Sequence, residues 1–433
     1  MRWNERIFIR DLADKIGETH TLEGWIQFTR KGKVKFIGLR DGSGIIQGVM
    51  VKGETEDESF ELFPQLKQET AVRLTGVVQK SDRSQFGVEI LVIKVEILGT
   101  SNQYPITPKE HGTDFLLNHR HLWLRSKKQV AIFHIRSTII QAIRDFFFES
   151  KFIQMDSPIF TKVIGEDEDD LFSVDYFDMG KAYLAQTGQL YLEASIFAHS
   201  RVFCFGPTFR SEKSKTRRHL TEFWMLEGEM AFFDNDDNMD LQEDMTQFII
   251  KRVLDRCQWQ LKQIERDPAV LEKCLGPFGR MDYGEAVKIL QEKGSQIQYG
   301  DDLGAADETM LVEDSPVPIF VYDYPKSVKA FYMKENADDS ERVKCSDMLA
   351  PEGFGEMIGG SQREESLEKL QQRITEKNLP MENYEWYLDL RRYGTVVHSG
   401  FGLGLERLTG WICGIKHIRE AIPFPRLMER LTP

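Results

Sequence analysis

Phe205-Gly206-Pro207-Thr208-Phe209-Arg210-Ser211-Glu212, continuing through Lys213-Ser214-Lys215-Thr216-Arg217-Arg218-His219-Leu220-Thr221-Glu222 to Phe223-Trp224-Met225-Leu226-Glu227, sets a basic segment between two apolar ones. Leu190 to Phe205 and Phe223 to Phe232 are rich in apolar, β-tolerant residues, which predicts two strands joined by a long charged loop. The loop gathers Arg210, Lys213, Lys215, Arg217, Arg218 and His219 against Glu212, in a chain of formal net charge -13. Cations concentrated on one loop of an acidic protein suit a polyanion, and Arg grips phosphate oxygens with a planar fork. A nucleotide phosphate is the simplest candidate; a solvated turn is the plainer reading of the loop in isolation.

A second element stands near the end of the chain. Gly400-Phe401-Gly402-Leu403-Gly404-Leu405-Glu406-Arg407 reads as a Gly-spaced strand opening into an apolar helix, Leu408 to Cys413, with Arg419-Glu420-Ala421-Ile422-Pro423-Phe424-Pro425-Arg426 beyond it. Alone, such glycines also mark close packing of strand on helix. Together, Phe209-Arg210-Ser211-Glu212 resembles motif 2 of the class II aminoacyl-tRNA synthetases and Gly402 to Arg407 resembles their motif 3. Phe152-Ile153-Gln154-Met155-Asp156-Ser157-Pro158-Ile159, after a helical stretch from His134 to Ser150, resembles motif 1. Glu222 to Glu227, Gly359-Gly360-Ser361-Gln362-Arg363-Glu364, Val397 to Gly402 and Ile422 to Arg426 narrow the resemblance to the asparaginyl branch of the aspartyl, asparaginyl and lysyl subgroup, across nearly the whole chain.

Composition agrees with a large soluble protein. A chain of 433 residues usually holds two or three domains, and 41% hydrophobic content supports a substantial core. No segment approaches the roughly eighteen uncharged apolar residues of a membrane helix, and Arg2, Glu5, Arg6 and Arg10 crowd the first ten positions, so a cytoplasmic protein is expected. Cys204, Cys257, Cys274, Cys345 and Cys413 form no Cys-x-x-Cys pair, which argues against structural zinc or a disulfide framework.

The expected fold class is α+β, divided as 1–100, 101–126 and 127–433. Strand-forming runs at Trp25 to Thr29, Val34 to Leu39, Ile45 to Val51, Ala71 to Val78 and Val88 to Ile97 predict a small barrel of the oligonucleotide-binding (OB) type. Arg30, Lys31, Lys33 and Lys35 precede Phe36, which offers cations for phosphate beside an aromatic face for a base; a charged hairpin with Phe36 in the core is the alternative. Thr100 to about Arg125 reads as a hinge, and its His119-Arg120-His121 is poorly spaced for one metal. Asp236 to Lys262 and Glu364 to Glu376 read as amphipathic helices. The resemblance implies that 1–100 is an anticodon-binding barrel with Arg30, Phe36 and Gln47 on its tRNA surface. It also implies that 127–433 is a class II catalytic domain, an antiparallel sheet flanked by helices, dimerising through motif 1 with Pro158 at the seam.

The same resemblance implies a reaction: ATP-dependent ligation of L-asparagine to tRNA(Asn) through an asparaginyl-adenylate. Two anions must meet while charge builds on phosphate, so fixed cations carry much of the stabilisation. The resemblance places Arg210 on the α-phosphate, Glu212, Arg218 and His219 at the nucleotide, and Phe223 and Arg407 on either side of the adenine. Asp347 and Glu356 match the acids that hold Mg2+, which hard oxygen ligands suit. Glu227 and Arg363 are expected to read the two ends of the substrate amide, as acceptor and donor; an ordinary ion pair between them is the alternative. An aspartyl enzyme would carry a shorter acid at Glu227 and a Lys at Leu192. Gln189, in Thr187-Gly188-Gln189, and Glu166 are expected at the substrate's amino end, with His398 lining the same pocket. The chain departs from the family's usual pattern at Gly165-Glu166-Asp167, Gly228 and Val397. Two rival readings stand beside this one: an aspartyl-tRNA synthetase, discriminating or not, and a tRNA-binding paralogue that activates no amino acid.

Overall fold

The computed structural model describes residues 6–433 except 83, 85, 167–169, 214, 215 and 217. Of the sequence features above, Arg2, Glu5, Asp167, Ser214, Lys215 and Arg217 lie outside the described residues, as do the acids Glu168 and Asp169 that follow Asp167. The chain forms two compact units, 1–116 and 117–433.

In the first unit, β1 (Thr19–Arg30), β2 (Lys35–Arg40), β3 (Ile45–Met50), β4 (Ala71–Lys80) and β5 (Val88–Gly99) close into a barrel in the order β1-β2-β3-β5-β4. Alternation drives closure: Val72, Leu74 and Val78 of β4 and Val88, Ile90 and Val92 of β5 turn inward, where they meet Leu22, Ile37, Leu39 and Ile46. A closed barrel leaves no edge strand for other chains to pair with.

Among the described residues of the second unit, ten strands precede β16. These are β6 (Ile153–Gln154), β7 (Phe160–Thr161), β8 (Ser173–Asp175), β9 (Lys181–Leu184), β10 (Arg201–Phe209), β11 (Glu222–Ala231), β12 (Gly279–Asp282), β13 (Ile319–Tyr322), β14 (Cys345–Ala350) and β15 (Gly355–Gln362). With β16 (His398–Gly404), eight of them make one sheet in the order β12-β13-β14-β15-β16-β11-β10-β6. It is antiparallel except at β12–β13 and β10–β6, and β7, β9 and β8 form a small separate sheet. Helix Lys127–Glu149 has no internal Gly or Pro and buries Ile132, Ile135, Ile139, Ile143 and Phe146, a helical spacing. Helix Asn235–Arg256, capped by the Asp234 side chain, buries Met239, Met245, Ile249, Ile250 and Val253. Both stripes join the core on Leu226, Met230, Ile358 and Leu403, so one face of the sheet is sealed and the other is left for chemistry.

The structure corrects the strand expected from Leu190 to Phe205. Gln189–His199 is a helix, and only Arg201–Phe209 is a strand. Leu190, Leu192, Glu193 and Ile196 are buried at helical intervals, and the run was too long for one strand. Ser200, at φ 63, makes the break. The helix expected over Asp236 to Lys262 is likewise divided at Cys257. Arg120, read as part of a hinge, is buried and donates to the carbonyls of Pro423 and Ile422 and to Gln129, tying the last segment of the chain to helix Lys127–Glu149.

Candidate active site

The open face of the sheet is built by register. Phe223, Met225, Glu227 and Glu229 alternate along β11, and the last three lie opposite Gly404, Gly402 and Gly400 of β16. The Gly-x-Gly-x-Gly run is therefore the low floor beside a row of functional side chains: a Cβ at Gly400 would strike the Glu229 carboxylate. These strands, β15, the loop after β10 and the start of helix Gln189–His199 enclose a cavity of about 290 Å³.

At one end the cavity gathers arginines, each beside a carboxylate. Arg210 lies 3.7 Å from Glu166 and sets its guanidinium 5.6 Å from the Phe223 ring centre. Burial lowers the Arg210 pKa less than Glu166, Glu212 and Glu356 raise it, so the cation is reinforced. His219 lies 3.1 Å from Glu212, and its hydrogen bond holds that carboxyl below its ordinary range. Arg407 donates to the carbonyl and the carboxylate of Glu356, at 2.8 and 3.2 Å. Arg218 instead grips Glu308 at 3.1 Å, the Thr309 hydroxyl at 2.9 Å and the Gly353 carbonyl. Glu406, before Arg407, accepts from the Trp224 amide and from Arg136, fastening the start of helix Leu405–Cys413 to β11 and helix Lys127–Glu149.

Asp347 and Glu356 both reach over Gly359, where a Cβ would lie 3.1 Å from Glu356 Oε1 and 3.5 Å from Asp347 Oδ1. Burial, together with the Glu356 charge, raises the Asp347 pKa against the pull of Lys329, 2.7 Å away. Two converging carboxylates fit a divalent cation that takes its remaining oxygens from phosphate and water. Among the described residues no trio of His, Cys, Asp or Glu side chains is arranged to hold a metal by itself.

The other end is built for a polar, compact group. The Glu227 carboxylate accepts from the Thr187 hydroxyl on Oε1, and from the Gly188 amide at 2.8 Å and the Cys204 thiol at 3.3 Å on Oε2. Arg363 does not pair with Glu227. Its Nε and Nη2 clamp Glu229 at 3.0 and 2.9 Å, and Nη1 donates to Ser361 at 2.8 Å. That pair is dry, with side chains 3% and 1% exposed. Behind it, the buried Glu193 carboxylate accepts from Gln189 Nε2 at 3.1 Å, the Tyr387 hydroxyl at 2.7 Å and Arg391 at 2.8 Å, with His398 Nε2 at 3.1 Å. Burial alone would raise the Glu193 pKa, but Arg391 and His398 hold it far below the ordinary carboxylate range.

Residues 112–428 match the family of class II tRNA synthetases (D, K and N), and residues 20–98 match the OB-fold nucleic acid binding domain. The chain belongs to the class II tRNA synthetases of the D, K and N group. It is 49% identical to the asparagine–tRNA ligase of Herpetosiphon aurantiacus, over 99% of both chains, and 51% identical to that of Desulforamulus reducens, over 98% of this chain and 99% of the other. The crystal structure of asparaginyl-tRNA synthetase from Pyrococcus horikoshii complexed with asparaginyl-adenylate is 43% identical, covers 99% of this chain and 100% of its own, and superposes with a TM-score of 0.95.

Within this synthetase cavity the structure gathers Glu166, Gln189, Arg210, Glu212, Arg218, His219, Phe223, Glu227, Asp347, Glu356, Arg363 and Arg407. His398 is corrected: its ring is fully buried behind the wall, with Nδ1 on the Val396 carbonyl and Nε2 on Glu193. Leu192 sits one layer back as well, packed with Ile196, Val202, Cys204 and Ala231. Sequence reasoning missed Glu229 and Glu193. The first was within reach, two residues after Glu227 on a strand, hence on the same face. The second stands four residues after Gln189 and was hidden by the mistaken strand.

On the OB-fold barrel, Arg30 is exposed and lies 5.2 Å from the ring centre of Phe28, a residue the sequence reading passed over. Phe36 is half-buried and lies opposite Arg30 in the β1–β2 register, away from the core-facing Ile37. The Gln47 amide donates to Glu89 at 2.9 Å. Lys35, counted among the phosphate-facing cations, is held by the Phe60 carbonyl at 2.9 Å and lies 3.5 Å from that ring's centre.

Proposed function

We propose how the residues of this cavity share the work of the chain, which ligates L-asparagine to its tRNA in an ATP-dependent reaction through an asparaginyl-adenylate. The observation that carries the assignment of roles is that Glu227 is left with a single open acceptor direction. A carboxylate has about four acceptor directions, and Thr187, Gly188 and Cys204 use three. One direction on Oε1 remains, suited to the NH2 of an amide. Arg363, with three of its five N–H groups committed to Glu229 and Ser361, keeps two for the amide oxygen. An aspartate carboxylate would set an acceptor against Glu227, and sites built this way discriminate by roughly 10⁴ or more.

The asparagine carboxylate attacks the α-phosphorus, forming the O–P bond as pyrophosphate leaves, and the tRNA 3′-hydroxyl then displaces AMP from the acyl carbon. Arg210 stabilises the α-phosphate, His219 and Arg218 meet the outer phosphates, and Phe223 and Arg407 sandwich the adenine. Glu212 orients His219. Glu166 and Gln189 receive the substrate's amino end. Asp347 and Glu356 would hold Mg2+, which would supply charge neutralisation at the phosphates.

Residues 1–100 form the anticodon-binding part, with Arg30, Phe36 and Gln47 on the face that meets tRNA, 101–126 the linker, of which the segment from Leu117 on packs with the catalytic unit, and 127–433 the catalytic part. No helix among the described residues is long and apolar enough to cross a membrane; the working compartment is the cytoplasm. A homodimer through helix Lys127–Glu149, β6 and Pro158 is supported by the exposed Phe148, Ile153 and Ile159 on that side. The direct test is asparagine-dependent exchange of pyrophosphate into ATP with aspartate as control. Equal or greater exchange with aspartate defeats the assignment.

A further inference from the structure

Glu193 is fully buried, one helical turn after Gln189, and touches no part of the cavity wall except through that residue's amide. Its surroundings are unusual for a counter-ion alone. Arg391 and the Tyr387 hydroxyl already satisfy Glu193 Oε2, and Tyr387 also reaches Oε1, leaving Oε1 to take the Gln189 NH2. A carboxylate is acceptor-only, so this contact fixes which end of the Gln189 amide faces inward. The end left for the cavity is the carbonyl oxygen. Were residue 193 able to donate, the amide could turn over and offer N–H groups to the ligand instead.

We propose that Glu193 is a positioning residue for the amino end of the substrate: by holding the Gln189 NH2 it presents the Gln189 carbonyl oxygen as a fixed acceptor for an α-ammonium group. This rests on the reading of the cavity as an asparagine site. The Glu193–Arg391–His398 cluster then orients an uncharged side chain on the wall and touches no substrate itself.

The experiment compares asparagine with succinamate, its analogue with hydrogen in place of the ammonium group. Asparagine KM and the succinamate inhibition constant are measured in pyrophosphate exchange for the natural protein, Glu193→Gln, Tyr387→Phe and Gln189→Met. Activity of the natural protein with asparagine tests the underlying reading separately. In Glu193→Gln, asparagine should weaken by about 10- to 100-fold, the range for a hydrogen bond to a charged group, while succinamate changes less than about threefold. Gln189→Met, which leaves the buried charges in place, should show the same split. Tyr387→Phe keeps the charge and removes a donor from Glu193, so it should show a smaller split in the same direction and carries the test if Glu193→Gln does not fold. Equal weakening of both ligands, or none, in whichever of the two Glu193-directed variants folds, overturns the proposal.

Discussion

Thr187→Val probes the amide-reading site without touching a charge. Val keeps the branched shape and removes one hydroxyl, which donates to Glu227 Oε1 and accepts from the Gln189 backbone N–H at 3.0 Å. Glu227 remains tethered through Oε2 by Gly188 and Cys204, so the carboxylate stays in place but loses the contact that sets its rotation. A hydrogen bond to a charged group contributes about 1.5–3 kcal/mol, equivalent to about 10- to 150-fold. That loss should appear in kcat/KM for asparagine in pyrophosphate exchange, while KM for ATP changes less than about threefold, because Arg210, Phe223 and Arg407 are untouched. Thr187→Ser should restore most of it. Discrimination between asparagine and aspartate should fall with it, since a Glu227 free to rotate no longer confronts an incoming carboxylate. An unchanged asparagine-to-aspartate ratio in a folded Thr187→Val protein would refute the reasoning that Glu227 reads the amide.

Glu229→Gln leaves the buried Arg363 guanidinium without its clamp, and urea denaturation should report a loss of about 3–5 kcal/mol in the unit carrying it. Gly400→Ala should cost about 1–3 kcal/mol by pressing a methyl group into the Glu229 carboxylate and the Gly228 carbonyl, and should lower asparagine activation more than ATP binding. Glu308→Ala removes the carboxylate from the set that holds Arg218 and leaves only the Thr309 hydroxyl and the Gly353 carbonyl to position it, and KM for ATP should rise by about 3- to 10-fold with KM for asparagine little changed. The pH dependence of stability has a definite sign at Glu193. Its folded pKa lies below the ordinary 4.5, so the native state binds fewer protons than the unfolded chain; its contribution is complete above the unfolded pKa and is lost as pH falls from there through the folded pKa. Equilibrium unfolding measured below pH 4.5 should therefore show a shallower loss for Glu193→Gln than for the natural protein.

Much of this molecule is written in short-range pattern. Alternation and turn residues determine the five-stranded barrel, because a strand with one buried face must repeat every two residues. The basic loop after Phe209 and the glycines of 400–404 stand out as a charged hairpin and a low strand floor, and they point to one site only when read together, since each alone has a plainer reading. The sequence pointed to many of the side chains that line the cavity; Glu229, Glu193 and the pairings came only with the structure. Arg363 lies 134 positions from Glu229, and Glu193 lies 205 from His398, so only the closing of the sheet decided that these charges meet. Glu227 was legible as an acceptor, but Thr187 and Cys204, which leave it one open direction, belong to other elements. The helix Gln189–His199 was the sharpest divergence: its apolar run suits either period, and it is the sheet packed beneath Leu192 and Ile196 that selects the helix and thereby brings Glu193 behind Gln189.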